Sequence, residues 1–350
     1  MFQSIHFVQT PQSLPKYLTQ GTYLLLIGAK TLFTPESLPS NVTIYGAVFP
    51  RIVFGKSSYD EGILVAHLAS DTTITLIETM SDLSTLHVND ETRSVLTILD
   101  GLSQHIEVFL EDLFSLIPER SKIMGGGAGK LTLTQEPILF DNHRFYKDSA
   151  LILQHSKKIG LGVKHGWEAV VMPLMATQCS SHKLERINFQ TAYPFYKAAV
   201  EADTHLRFDG SNFFDIAKNY PIGIMRYNKD FIVRDPIYTD GESLTLIGNI
   251  DPNSVIAILK GKDAKLIQAA HEAASIAASH AEKECDSVLL IDCISRYLFL
   301  EERFKEELEA ISSAYAPNTI LWGVLSLGEI ANANEEGIEF YNKTCVVGTL

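Results

Sequence analysis

Apolar residues in the first third of the chain come in short runs cut by turn residues, a spacing that predicts strands. Residues 23–29, 43–49, 63–69 and 73–78 are rich in β-branched and aromatic side chains and are expected as strands. The pattern then changes. Val95, Leu99, Leu102, Ile106, Phe109, Leu113 and Ile117 recur at steps of three and four, which predicts one amphipathic helix ended by Pro118. A short strand running into a glycine turn at Gly125, Gly126, Gly127 and Gly129 should follow, with further strands at 151–154 and 169–172.

A boundary is expected near residues 205–210, which read as a hairpin strand and turn, so that residues 1–207 and 208–350 form two domains. Beyond it the pattern predicts a short helix at 212–219 and strands at 222–227, 244–249 and 255–259. An alanine-rich helix should run from Asp263 to about Lys283, with Leu266, Ala270, Ala273, Ala277 and Ala281 forming a face small enough for close packing. The last stretch reads as a strand (288–293), an amphipathic helix (296–313) and a strand (319–326). Such a unit is a parallel, right-handed crossover, and its two strands end on the same rim of the sheet. A final antiparallel strand at 339–349 would bring Asn342 and Thr344 to that rim. The expected fold class is therefore α+β: two sheet-based domains of mixed sheets with a few helices, the C-terminal one containing a βαβ crossover.

That rim carries the chemistry. Ligands of open α/β sheets bind beyond the carboxyl ends of strands, where this chain has Cys293, Arg296, Gly328 and Glu329. Arg296 stands at a helix start, where its charge opposes the macrodipole, so helix stability does not explain it. Its planar guanidinium suits a carboxylate, from Glu329, Asp292 or a ligand. Cys293 admits two readings: a nucleophile whose thiolate the helix N-terminus favours, or a packed wall residue.

Familiar motifs fail on spacing. Gly125 to Lys130 has three residues between its outer glycines and Leu131 after the lysine, which is not a phosphate loop. Gly160, Gly162 and Gly166 are spaced one residue too long for a dinucleotide fingerprint. His271-Glu272 lacks the second histidine of a zinc protease, and no metal site is expected among the eleven histidines. His165, beside the rare Trp167, is the most notable of them.

The formal net charge of −13 argues against nucleic acid and anionic lipid as partners. No run approaches the ~20 apolar residues of a membrane span, and the first residues lack a signal-peptide pattern. The four cysteines include no C-x-x-C pair and read as reduced thiols of a cytoplasmic protein.

The order of motifs resembles the FIST-domain family across nearly the full length. Gly46 to Ile52 is similar to one form of its N-terminal segment; the alternative Gly-Cys-Ser/Thr stretch is absent. Gly125, Gly126 and Gly127 resemble its central glycine turn, and His165 to Trp167 the motif that follows. Cys293 with Arg296, Gly328 with Glu329, and Asn342 with Thr344 resemble its C-terminal signature. The resemblance implies a stand-alone sensory module with FIST N-like (1–207) and FIST C-like (208–350) parts and no catalytic residues. It would bind a small ligand, such as an amino acid or another small carboxylate, through Arg296, Glu329, Cys293, Gly328, Asn342 and Thr344. Gly125 to Gly127, His165 and Trp167 would line a second pocket. With no room for an output domain, it would signal through a separate kinase, cyclase or chemoreceptor. The alternatives are a haem protein sensing nitric oxide, which needs an axial histidine in an apolar pocket, and an enzyme using Cys293.

Overall fold

The computed structural model describes residues 1–35, 38–39, 41–226, 230–281, 285–333 and 337–349. The fold is α+β, with four mixed or antiparallel sheets and few helices. The α-helices are α1 (Ile106–Leu116), α2 (Ala192–Asp203), α3 (Phe213–Ala217), α4 (Asp263–Ser279), α5 (Ile294–Leu300) and α6 (Phe304–Ser312).

Three of the four sheets take strands from both sides of residue 207, so the expected division at 207/208 does not separate them. Only the first sheet, built from Phe2–Val8, Ile63–Leu68, Thr22–Gly28, Thr43–Phe49, Leu139–Asp141 and Phe145–Tyr146, stays within the N-terminal half. In the second, Glu329–Ala331 pairs antiparallel with Lys122–Ala128 and with the edge strand Glu339–Tyr341. The third runs from Gly160–Lys164 through Cys345–Thr349, Ser287–Cys293 and Ile320–Ser326 to Arg51–Phe54 and Ser57–Tyr59. The fourth ends on the edge strand Phe231–Arg234 and contains Ile222–Met225, Val255–Lys260 and the long strand Glu168–Ser180.

The crossover forms as expected: Ser287–Cys293 is parallel to Ile320–Ser326, with Asp292 opposite Leu325 and Cys293 opposite Ser326. The expected helix between them is broken. Glu301 takes a left-handed backbone (φ 52°), a 3-10 turn follows, and α6 folds back. The expected final strand is likewise two strands, Glu339–Tyr341 in one sheet and Cys345–Thr349 in another, with the left-handed Lys343 (φ 54°) between them.

The stripe from Val95 to Ile117 is not one helix. Ser94–Asp100 is a strand buried on both faces, and only Ile106–Leu116 is helical. A strand covered on both faces is apolar throughout, so Val95 and Leu99 match a helical step without being helical. The glycine run is the body of the parallel partner Lys122–Ala128 and makes no turn. No strand forms at 205–210, where Phe208 instead packs into the core beside α2 and its amide bonds the Glu201 carboxylate. The expected ends at Tyr227 and Lys283 lie outside the described residues.

The small face of α4 has a clear partner. Leu266, Ala270, Ala273 and Ala277 are fully buried, and the strand beneath them carries Gly160 and Gly162. A Cβ on Gly162 would stand 1.9 Å from the Ala273 carbonyl oxygen, and one on Gly160 2.0 Å from that of Ala277. Helix backbone therefore lies directly on strand backbone. Gly162→Ala is expected to destabilise the protein by about 1–3 kcal/mol through overpacking, read as a lower urea midpoint; an unchanged midpoint would contradict this packing.

Candidate functional site

The C-terminal motifs meet, but in a closed place. Arg296 lies in the first turn of α5, just beyond the strand end at Cys293, and is fully buried. Its Nε and Nη2 donate to the Glu307 carboxylate at 3.0 and 2.8 Å, and Nε lies 3.2 Å from Asp292 Oδ1. Nη1 reaches the His165 carbonyl at 2.5 Å and Nη2 that of Leu266 at 2.9 Å. Of the expected partners, Asp292 is in place, and Glu307 stands where Glu329 was expected. In one straight helix Glu307 would lie about 16 Å along the axis from Arg296; the break at Glu301 lets it return.

Glu329 is also fully buried, yet accepts from Ser326 Oγ at 2.7 Å and the Thr344 amide at 3.2 Å. Burial pushes its carboxyl up to about 8, so it is mostly protonated at neutral pH. Burial, and then Glu307, push Asp292 well above the carboxylate range. Burial, then Glu329, push the Cys293 thiol well up as well, the opposite of an activated nucleophile.

The remaining expected residues join the same cluster. The Thr344 carbonyl accepts from the Cys293 amide, and its hydroxyl donates to the Asn342 carbonyl. Gly126 pairs with Glu329 across the strands, flanked by Gly125 opposite Ile330, and Gly127 donates to the Gly328 carbonyl. Trp167 Nε1 donates to the Lys343 carbonyl at 3.0 Å. Lys343, which the sequence reading missed, is itself fully buried: its Nζ lies 3.0 Å from Asp235 Oδ2 and 4.9 Å from the centre of the Trp167 ring. Asp292, Glu307 and Cys345 lie close enough to suggest a metal cluster, but Arg296 already holds both carboxylates. These residues fasten sheets and helices together, and a cavity of about 230 Å³ stays open beside His165 and Thr344.

The open space lies nearby. A cleft of about 530 Å³ runs between α1 and the edge strands Phe231–Arg234 and Glu339–Tyr341. Arg234 lines it and is only 6% exposed. Its Nε donates to the Asn249 carbonyl at 2.8 Å and Nη1 to that of Phe340 at 2.8 Å. Nη2 makes no hydrogen bond, and no carboxylate stands within ion-pair distance, among the described residues. Burial pushes the guanidinium below its ordinary range. Glu107, Glu339 and Asp251 act on it through space without an ion-pair contact. Arg226 pairs with Glu339, and the Glu107 carboxylate accepts from the backbone and side-chain amides of Asn249. Room for Arg234 comes from Gly248, at φ 82°, where a Cβ would lie 2.9 Å from its Nε. Nothing in the local sequence marks Arg234, because its isolation depends on where distant carboxylates are spent.

Family models match the chain over residues 34–190, as a FIST N domain, and 192–332, as a FIST C domain. The chain belongs to the FIST family. No curated protein matches it. FIST domains are associated with sensory signal transduction. In this FIST protein the cleft has one wall from the FIST N part (α1) and another from the FIST C part (Phe231–Arg234). Asn342 and Thr344 lie beyond the FIST C match.

Two histidines are held by hydrogen bonds within the protein. His165 Nδ1 accepts the Trp167 amide at 3.0 Å, so neutral His165 carries its proton on Nε2, and burial pushes its pKa down to about 4. Both ring nitrogens of His155 are engaged, by the Met1 amino group and the Thr72 hydroxyl. No helix among the described residues is long and apolar enough to cross a membrane.

Two outcomes test the closed cluster. Arg296→Ala strands buried carboxyl groups and should cost about 3–5 kcal/mol of stability; a loss under 1 kcal/mol on urea unfolding would contradict the cluster. The pH test runs through Glu329. Its folded-state value lies above the ordinary 4.5, so its contribution to stability should fall as pH rises from there through about 8. His165 acts oppositely, its contribution rising up to the ordinary 6.5. Between pH 6.5 and 8 the wild type should therefore lose stability relative to Glu329→Gln as pH rises; equal slopes would count against a buried neutral Glu329.

Proposed function

We propose that this FIST protein is a sensor whose small ligand, an amino acid or another small carboxylate, sits in the cleft at Arg234 and not at Arg296. One observation carries the reading: a buried guanidinium with no carboxylate partner among the described residues faces an open cleft. A buried charge is costly unless something pairs with it. A ligand carboxylate would supply the missing charge and accept from Nη2. Because the cleft takes walls from both FIST parts, occupancy would bias their relative packing, which is what a sensor needs. The output would pass to a separate protein, a kinase, cyclase or chemoreceptor. The same reading puts the protein in the cytoplasm, and the four free cysteines support that.

Arg296 and Glu329 are not used as ligand contacts, since each is fully buried with its hydrogen bonds made within the protein. Cys293 is not used as a nucleophile, for the reason given by its raised pKa.

Thermal-shift screening against amino acids and organic acids tests the proposal, because a ligand selective for the folded state must raise its stability. At least one carboxylate should raise Tm, and Arg234→Gln should weaken that compound about ten-fold or more, the worth of a charge-assisted hydrogen bond. Equal shifts in wild type and Arg234→Gln, or no shift with any compound, would overturn it.

A further inference from the structure

Resting on the reading of Arg234 as the anchor, we infer that the ligand is a monocarboxylate with an apolar body, an arylalkanoic or branched-chain acid. The cleft holds one guanidinium that has no ion-pair partner among the described residues. The charge of Arg226 is taken by Glu339, and the Glu107 carboxylate is turned toward the two amides of Asn249. One anionic head would give Arg234 a contact partner. A second carboxylate would find no partner there and would face the exposed rim acids Glu111 and Asp251. Dicarboxylates are disfavoured on that ground.

The apolar part of the wall, which stands beside Glu107, Asn249 and Ser254, comes from three directions. Leu110 and Phe114 project from α1, Ile224 and Ile232 from neighbouring strands of the fourth sheet, and Ile338 and Phe340 from the chain at the edge of the second. Leu110, Ile232 and Phe340 are buried, whereas Phe114, Ile224 and Ile338 keep part of their surface open. A ligand body laid against these side chains would remove that apolar surface from water, which a two- or three-carbon acid cannot do. Apolar side chains beside a polar anchor that fixes orientation are a recurring form of small-molecule site. The Phe340 carbonyl also receives Arg234 Nη1, so the wall and the anchor are fixed to each other.

The test uses the full chain and four named probes, 3-phenylpropionate, 4-methylvalerate, propionate and succinate, with affinities from calorimetry. The two apolar-bodied acids should bind about ten-fold or more tighter than propionate and succinate, since buried methylene groups are each worth several-fold in affinity. Phe114→Ala should reduce that preference, and Arg234→Gln should weaken all binding. If propionate or succinate binds as tightly as 3-phenylpropionate while still depending on Arg234, the apolar-body inference falls and the anchor stands. If no probe or other carboxylate shows binding that depends on Arg234, the anchor itself falls, and the inference with it.

Discussion

The fold depends on a guanidinium held entirely inside it. Arg296 joins the strand end at Asp292, the returning helix α6 at Glu307, helix α4 at the Leu266 carbonyl and the loop carbonyl of His165. Such a charge is expensive to bury and survives because every side of it meets an acceptor. Its demand for Glu307 explains why the segment after α5 must break at Glu301. Around it, Glu329 is kept neutral by burial, and Lys343 is balanced by Asp235. The signature residues thereby form a rivet between parts of the chain that lie far apart in sequence.

The same accounting of charges separates structure from function. Where a buried charge has its partners, it holds the fold; where it lacks one, it points to a ligand. Arg296 and Arg234 are both buried arginines, and of the two it is Arg234 that has an open cleft before it and an Nη2 without a hydrogen bond among the described residues. The cleft lies where α1 of the FIST N part meets edge strands that end two different sheets. Edge strands and a helix flank can separate without breaking a sheet, so the junction can respond to an occupant.

Much of this was legible in the residues, and the losses have physical causes. The βαβ crossover and the convergence of Cys293, Glu329 and Thr344 followed from apolar runs and the handedness of crossovers, and the strands do bring them together. Asp292 was among the expected partners of Arg296 and is one; Glu307 was missed because a helical stripe does not reveal a break that leaves the stripe intact on both sides. Ser94–Asp100 was misread because a doubly buried strand shows no alternation. The glycines at 160 and 162, rejected as a nucleotide motif, mark the close contact with Ala273 and Ala277, a pairing between segments more than a hundred residues apart. Arg234 carried no local signal at all, since its role depends on what Glu107 and Glu339 are already doing.

Anchorage of the ligand at Arg234 is tested most directly by a crystal structure with a bound carboxylate identified by screening. A carboxylate oxygen is expected about 3 Å from Arg234 Nη2, with the body of the ligand against α1. A carboxylate bound elsewhere, with Arg234 untouched, would contradict it.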